Sequence, residues 1–404
     1  MTLDISRYAG TDRTGACRGE VLESRLQEVL EHIRTRGVSI CRGREVMTGY
    51  SYGEFYDWDL YFETLFLSYF GVNKFCRNNV EMFLDAQEPS GFVARTIMEP
   101  RQRQHFKPFL AQTALLGCLQ TGDCRWLEGK YWARLKRYLH YWFWHCDADK
   151  NGLCYWDSAD HSGMDNQCLR AGEIGTKDVE GVDLNCYLVQ ELDAMGHLGE
   201  LLGHKEEAAH FFEHAQQLRT KVEEIFWDEA DGFYYDRSEE RGELIRVKTI
   251  SGLMPLWCGA ASPERAKRLV QEHLMNPREF WLEYPVATWA KNEKGYYQQR
   301  KGGECNWMGC TWIPTNYMLF HGLMEYGFKK EAGMLARKTY ELVISESTTR
   351  EYYNAENGCG QGLSPFWGWS TLGYLMLMEW TIGYNPMDHN RREFFTLAGF
   401  SANL

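Results

Sequence analysis

The sequence lacks the long apolar runs and charge blocks that mark several common protein classes. No apolar run approaches the roughly 18 residues that span a membrane, and the first residues show neither the basic nor the apolar region of an export signal. Blocks of like charge are also missing, and a net charge of −12 argues against nucleic-acid binding, which needs a basic surface. We therefore expect a cytoplasmic protein that binds neither membranes nor nucleic acid.

Zinc-type cysteine pairs and phosphate-binding loops are missing as well. The 13 cysteines are scattered, which indicates reduced thiols. No glycine-rich phosphate loop is present. The stretch "DADKNG" (147–152) begins like a calcium loop, but its twelfth position is Ser158, where such a loop requires Glu. We therefore predict no metal and no cofactor.

Aromatic side chains, by contrast, are abundant: 15 Trp, 23 Tyr and 21 Phe form 15% of the chain. A large core accounts for part of this excess. A concave site that offers flat apolar faces with polar edges accounts for the rest, and sugar rings suit such a surface.

Helical periodicity recurs along nearly the whole chain. It predicts about twelve helices, over 21–37, 59–70, 72–86, 108–120, 125–143, 184–202, 206–225, 247–257, 262–274, 314–326, 329–345 and 367–382. The loops that begin at Trp144 and Phe226 carry short aromatic strands, which predicts small hairpins. Six helical hairpins in a ring would give an all-α fold, a single (α/α)6 barrel spanning 1–404. A helical solenoid is the alternative, but no fixed-period repeat is present.

Four clusters combine carboxylates or tryptophans with long loops or helix ends. They are "YSYGEFYDWDLYFE" (50–63), "HSGMDN" (161–166), "NWMGCTWIPTNYMLFHGL" (306–323) and "TTREYYNAENGCGQGLSPFWGWS" (348–370). Two isolated carboxylates beside an aromatic cavity are what glycoside hydrolysis requires, one to protonate the leaving oxygen and one to activate water. The acids of the first cluster could instead serve a helix N-terminus, and the tryptophans could be core.

The order of these four motifs resembles glycoside hydrolase family 63, which includes N-glycan-trimming α-glucosidases and bacterial enzymes acting on glucosylglycerate or mannosylglycerate. Family 37 trehalases share the fold and a similar pattern. The resemblance implies an (α/α)6 barrel and hydrolysis with inversion. It implies Asp165 as general acid and Glu351 as general base, because Tyr353 and Asn354 match the residues that follow the family's base. Glu356 is the rival base.

The resemblance also implies a set of substrate-binding residues. From the four motifs and the segment before 108, these are Tyr52, Tyr56, Asp57, Trp58, Asp59, Lys107, Gly163, Trp307, Trp312 and Trp367. Lys107 stands where small bacterial members have a sugar-contacting Gln, and it could face an anionic aglycone or pair with a nearby acid. Asn306 replaces a Tyr, and Met308 to Cys310 replace Arg-Gly-Pro. These departures put glucosylglycerate specificity in doubt.

We therefore expect an inverting hydrolase of a small α-linked glucoside or mannoside, with a small carbohydrate as its partner and an oligomeric state that the sequence leaves open. A trehalase-like hydrolase remains an alternative. So does a sugar epimerase or isomerase on the same fold, for which His105, His161 and His321 lie near the motifs without paired spacing. A non-catalytic sugar-binding protein is the third alternative.

Overall fold

The structure is a computed structural model that describes residues 1–8, 19–98, 103–167, 179–299, 305–400 and 404. Twelve α-helices lie in these ranges. They are α1 Gly19–His32, α2 Asp57–Ser68, α3 Lys74–Asp85, α4 Leu110–Thr121, α5 Lys130–His145, α6 Val182–Leu202, α7 Lys205–Ile225, α8 Pro255–Cys258, α9 Pro263–Arg268, α10 Ile313–Glu325, α11 Lys329–Ser345 and α12 Met376–Ile382. Short 3-10 helices precede α8 (Ile250–Leu253) and α12 (Trp369–Tyr374), and π-helical turns follow α1 (Ile33–Gly37) and α9 (Leu269–Leu274).

The even-numbered helices form a closed inner ring. In chain order α2 packs on α4, α4 on α6, α6 on α8 and α8 on α10, and α10 packs on the 3-10 helix before α12, which returns to α2. The odd-numbered helices alternate with them outside the ring. The expected (α/α)6 barrel is therefore confirmed.

Burial separates the two rings. Every residue of α2 is buried, charged and aromatic residues alike. In α7 the buried residues form one stripe: Ala208, Ala215, Leu218 and Val222. An outer helix needs only one apolar face, whereas a helix covered on all sides buries every face, and its charged residues then need hydrogen-bond or ion-pair partners. The burial of each helix therefore matches its ring.

The strands are short and lie in the loops. They are β1 Thr2–Leu3, β2 Val38–Cys41, β3 Arg44–Met47, β4 Tyr155–Trp156, β5 Val179–Glu180, β6 Trp227–Asp228, β7 Phe233–Tyr234, β8 Arg237–Ser238, β9 Tyr352–Tyr353, β10 Gly360–Gln361 and β11 Thr396–Leu397. The hairpin expected after Phe226 is confirmed as β6–β7. The other loop differs from the expectation, because β4 pairs with the distant β5 in an antiparallel sheet of order β4-β5-β8.

A glycine explains one departure from the predicted helix bounds, and a proline lies at a helix start that agrees with them. The helix predicted from 125 begins at Lys130, because Gly129 (φ +69°) interrupts it after a short 3-10 turn. The predicted 262–274 helix has the expected start, with the Ser262 hydroxyl accepting from the Arg265 N–H and Pro263 at the first position. It then widens to a π-helix from Leu269.

Two further observations bear on the sequence-based expectations. Within the described ranges, no helix combines the length and apolarity that crossing a membrane requires. Every described cysteine is a free thiol, and most of them are buried. These thiols behave as small apolar side chains of the core.

The contact between α8 and α10 depends on the lack of a side chain at Gly322. A Cβ there would lie 2.7 Å from the carbonyl carbon and oxygen of Leu256. Although Ala favours helices over Gly, we expect Gly322→Ala to destabilise the protein by about 1–3 kcal/mol, because backbone would have to move. Thermal and urea unfolding would measure this. Met334→Ala on the exposed side of α11 is the control, and an unchanged or raised stability of Gly322→Ala would contradict this account of the packing.

Candidate active site

The predicted site residues come together at the N-terminal ends of the inner helices. Asp57 begins α2 and Trp312 directly precedes α10, while Lys107 lies just before α4. The loops that carry the two candidate catalytic acids reach the same end: Gly163 packs on Lys107, and the Trp369 indole donates to the Glu351 carbonyl at 2.9 Å. Distant parts of the chain thus form one site.

Four buried tryptophans form the centre of this site, and we call them the tryptophan cluster. They are Trp58, Trp307, Trp312 and Trp369. Trp307 and Trp312 stack with ring centroids 3.7 Å apart. Trp58 lies 5.8 Å from Trp307 and 6.1 Å from Trp369. Such a cluster fixes the positions of the loops packed on it and supplies apolar faces.

The candidate general acid lies in a loop that is fixed on both sides of it. Gly163 has φ +77°, and a Cβ there would approach Lys107 Cε to 2.9 Å and Trp58 Cε2 to 3.3 Å, so a glycine is required. After Asp165, the Asn166 amide donates to the Tyr297 hydroxyl, and its oxygen accepts from the Trp307 N–H, both at 2.7 Å. Asp165 itself is exposed between these attached neighbours. The turn therefore places Asp165 at the surface of the site.

Glu351, the candidate general base, is buried and held by hydrogen bonds of its backbone and its carboxylate. Its own N–H donates to the Leu363 carbonyl at 3.2 Å, and its Oε2 accepts from the Leu363 N–H at 2.9 Å. Its Oε1 accepts from the Cys305 thiol at 3.5 Å. Gly362 has φ +72°, and a Cβ there would overlap Glu351 Oε2. Glu351 as a whole is only 6% exposed. Its two hydrogen bonds give the carboxylate a defined orientation.

The rival base occupies a different setting. Glu356 Oε1 accepts from the Lys291 ammonium at 2.6 Å and from the Tyr296 hydroxyl at 3.0 Å. Its side chain is largely exposed, and the hydrogen bond from Lys291 lowers its pKa. Glu356 therefore forms a surface ion pair, whereas Glu351 contacts the tryptophan cluster.

The first acid of α2 forms a buried ion pair. Lys107 Nζ donates to Asp57 Oδ1 at 2.7 Å and the Lys107 N–H donates to Oδ2 at 3.0 Å, with both side chains fully buried. Burial raises the pKa of Asp57, but the charges of Lys107 and Arg95 outweigh it, so the pKa lies below its usual range. Burial lowers the pKa of Lys107 to about 8. Of the two alternatives for Lys107, pairing with a nearby acid is the one observed.

The second acid of α2 is bound by a tyrosine that the sequence analysis did not single out. The Tyr50 hydroxyl donates to Asp59 Oδ1 at 2.5 Å, and burial raises the pKa of Asp59 to about 7. Burial, and then the charges of Asp59 and Glu351, also raise the pKa of Tyr50. Tyr50, Asp59 and Glu351 therefore share one electrostatic environment.

Two further tyrosines of the first motif lie next to Tyr50. Tyr52 is 56% exposed, and its ring centroid is 5.0 Å from that of Tyr50. Tyr52 and Tyr56 are hydrogen-bonded to each other, and Tyr56 is half-buried. These rings extend the aromatic surface of the buried cluster to the solvent.

The two tryptophans of "FWGWS" point to different neighbours. Trp367, the one predicted to bind substrate, donates its indole N–H to the Thr48 carbonyl at 2.6 Å and stacks on His32 of α1. Trp369 is the one that contacts Glu351 and Trp58. The motif alone does not distinguish them, because both are large aromatics beside the same glycine.

The three histidines considered for an epimerase are bound elsewhere. His105 is fully buried, accepts from the Val93 N–H at 3.1 Å and has its pKa lowered to about 3 by burial. His161 is also buried and binds the His105 carbonyl and Asp157. His321 faces Glu379 at 3.2 Å. No two of these imidazoles face the tryptophan cluster together.

A cavity of about 460 Å³ lies at the other end of the ring. It is lined by residues from the middle of α6, the C-terminal half of α10, the end of α8 and the loop around 385–390, among them Gln190, His321 and Asn385. Its lining includes none of the predicted site residues. We therefore define the candidate active site by its carboxylates and stacked rings, and not by this cavity.

An α-helical barrel with two loop carboxylates beside stacked tryptophans is typical of barrel-type glycoside hydrolases. The chain belongs to the mannosylglycerate hydrolase MGH1-like glycoside hydrolase domain family, whose model matches residues 52–370. The resemblance to glycoside hydrolase family 63 is thereby confirmed.

One relative shares part of its sequence with this chain, and solved structures share its fold. A mannosylglycerate hydrolase of Thermus thermophilus is 32% identical over 160 residues, which cover 39% of this chain and 35% of that enzyme. The crystal structure of a family 63 mannosylglycerate hydrolase from Thermus thermophilus with Tris and D-glycerate has a TM-score of 0.70 at 20% identity, covering 88% of this chain and 100% of that one. The neutral trehalase of Saccharomyces cerevisiae has a TM-score of 0.65 at 16% identity, covering 88% and 79%. The aligned part spans about a third of the curated relatives' length.

The raised pKa of Asp59 predicts a pH dependence of folding. Its folded value of about 7 exceeds the ordinary 3.8, so the folded protein keeps a proton that the unfolded chain releases. The stability from this group is complete below the unfolded pKa and is lost as the pH rises through the folded value. Asp59→Asn, which still accepts from Tyr50, should therefore lose less stability than wild type between about pH 5 and about pH 8. Urea unfolding at both pH values measures this. Exposed Glu23→Gln is the control, and a parallel loss in Asp59→Asn would contradict the shift.

Proposed function

We propose that this protein is an inverting glycoside hydrolase acting on a small α-linked glucoside or mannoside, with Asp165 as general acid and Glu351 as general base. One observation carries the proposal. Two loops that are far apart in sequence, each with a candidate catalytic acid, contact the same tryptophan cluster. The Asp165 loop does so through Gly163 and Asn166, and the Glu351 loop through the backbone carbonyl of Glu351, which accepts from Trp369. Two such groups are what inverting hydrolysis requires.

The two acids have different surroundings, which suits different roles. The exposed Asp165 carboxyl can reach a glycosidic oxygen and protonate it as the bond to the anomeric carbon breaks. Glu351 is buried, and its Oε2 is oriented by the Leu363 N–H, so its carboxylate can accept a proton from a water that attacks the opposite face. The stacked rings between them suit the apolar face of a sugar.

Buried acids of the first motif support the sugar-binding part of the site. Asp57 is held by Lys107, and Asp59 is held by Tyr50 with a pKa of about 7. Asp59 can therefore act as donor or acceptor towards a sugar hydroxyl near neutral pH. Lys107 is fully buried against Asp57, so we do not assign it to recognition of an anionic aglycone.

The relatives suggest which substrates to try first. The Thermus enzyme named above is a mannosylglycerate hydrolase, and a related structure holds D-glycerate. The likeness to the yeast trehalase adds trehalose. An epimerase is less well supported, because the His105 and His161 imidazoles each bind a backbone carbonyl. They do not face one another across the site.

The catalytic assignment predicts the effect of conservative substitutions. We expect Asp165→Asn and Glu351→Gln each to lower kcat by about 10²–10⁴-fold or more, because each removes one proton transfer while keeping size and shape. Steady-state kinetics on an active substrate measures this, with circular dichroism to show an intact fold. Glu356→Gln is the matched control and should keep nearly full activity. Full activity in either of the first two variants, or a large loss in the control, would overturn the assignment.

The stereochemical part of the proposal has its own test. Purified protein would be mixed with α-linked glucosides, mannosides and galactosides, including trehalose and glycosylglycerates, and followed by one-dimensional proton NMR. We expect the β-anomer of the released sugar to form first, because water attacks the face opposite the leaving group. First appearance of the α-anomer without the β-anomer would indicate retention. Trehalose would give both anomers on inversion, because its second glucose leaves as the α-anomer. An epimer or a ketose without hydrolysis would instead identify an isomerase.

A further inference from the structure

Three carboxylates outside the candidate active site converge at the end of α5. Asp147 and Asp149 lie in the loop after α5, and Glu239 follows β8. One oxygen of each lies within 4.8 Å of one oxygen of both others. Two ligands on opposite sides of a Ca²⁺ ion are about 4.6–5.2 Å apart, since each Ca–O bond is about 2.3–2.6 Å. The spacing therefore suits a single ion between the three groups.

Asp147 gives an independent indication of a ligand. It is only 5% exposed, and its Oδ1 is buried without a hydrogen-bond partner. Its Oδ2 accepts from the Gly152 N–H at 3.2 Å. Burial raises the pKa of Asp147 despite the nearby charge of Lys150. A buried carboxylate oxygen without a donor is costly, and a bound cation would satisfy it.

The loop also has the local geometry of a calcium loop. Counting Asp147 as position one, Asp149 is the third and Gly152 the sixth, where a glycine permits a sharp turn. Gly152 has φ +83°. The twelfth position, Ser158, lacks the required carboxylate, which is why the sequence pattern fails. Glu239, on a different loop, supplies the third carboxylate of the cluster instead.

The cations near the cluster bind other groups. Lys150 Nζ donates to the carbonyls of Trp144 and Asp147, at 3.0 and 2.5 Å. Lys221 Nζ donates to the Asn151 carbonyl. Arg237 pairs with Glu180 and lies 4.0 Å from Asp149 Oδ2. Of the three carboxylates, Asp149 has this long ion pair with Arg237, whereas no salt bridge among the described residues involves Asp147 or Glu239.

We propose that Asp147, Asp149 and Glu239 form a binding site for Ca²⁺. The ion would connect the loop after α5 to the segment after β8, and these two segments flank the three-stranded sheet β4-β5-β8. The loop with Asp165 leaves that sheet directly after β4. Calcium would therefore stabilise the sheet from which the candidate acid loop extends. Ca²⁺ is preferred to Mg²⁺, which needs shorter bonds and near-ideal octahedral geometry.

Direct titration tests the site on the full chain after removal of metals with a chelator. Isothermal titration calorimetry with Ca²⁺ should show one binding site, and added Ca²⁺ should raise Tm, because the ion binds the folded state. Asp149→Asn and Glu239→Gln should each weaken Ca²⁺ binding by more than about tenfold, because each removes one ligand charge.

Glu239→Gln and its control keep the local hydrogen bonds. Gln at 239 can still accept from the N–H groups of Ala148 and Asp149, which Glu239 Oε1 binds at 2.7 and 2.9 Å. The matched control is Glu240→Gln, which removes the same charge at the exposed neighbouring position and should bind like wild type. The proposal is overturned if wild type shows no binding at millimolar Ca²⁺, if Glu239→Gln binds as tightly as wild type, or if Mg²⁺ binds equally well.

Discussion

The buried ion pair between Asp57 and Lys107 is the interaction on which the rest of the site depends. Both side chains are fully buried, and taking two charges out of water costs several kcal/mol each unless their hydrogen bonds are satisfied. Here the Asp57 carboxylate also accepts from the backbone N–H groups of Lys107 and Trp58. The pair therefore joins the first turn of α2 to the segment before α4 in one geometry.

Other site elements are built on this pair. The Lys107 ammonium lies 5.2 Å from the centre of a Trp58 ring, and Gly163 packs directly on both residues. The turn that carries Asp165 thus rests on the ion pair, while Asn166 fixes its far side to Trp307. A loop that carries a chemical group can be precise only if its neighbours are fixed, and here a buried charge pair supplies that support.

Much of the fold could be predicted from the sequence, because apolar periodicity reports which helix faces are covered. Predicted and observed bounds differ mainly where backbone geometry decides, as at Gly129, whose positive φ delays α5. In the site, the order of the motifs predicted Glu351 as a site residue. It could not show which of Trp367 and Trp369 contacts Glu351, because the two rings differ only in their neighbours in the folded chain. Contacts between distant segments, such as that of Glu239 with Asp147, cannot be predicted from a local sequence pattern. Tyr50 was missed for the same reason, since only folding brings it to Asp59.

The proton on Asp59 connects the stability of the site to its chemistry. Asp59 and Glu351 both raise the pKa of Tyr50 through their charges, so the two acids act on the same buried region. Two full negative charges there would repel each other at low dielectric. Because burial raises the pKa of Asp59 to about 7, this acid carries a proton for part of the time at neutral pH. The negative charge around Glu351 is thereby reduced without removing a hydrogen-bonding group. As the proposed general base, Glu351 must have an ionised carboxylate. A protonated Asp59 nearby lowers the electrostatic cost of that ionised state.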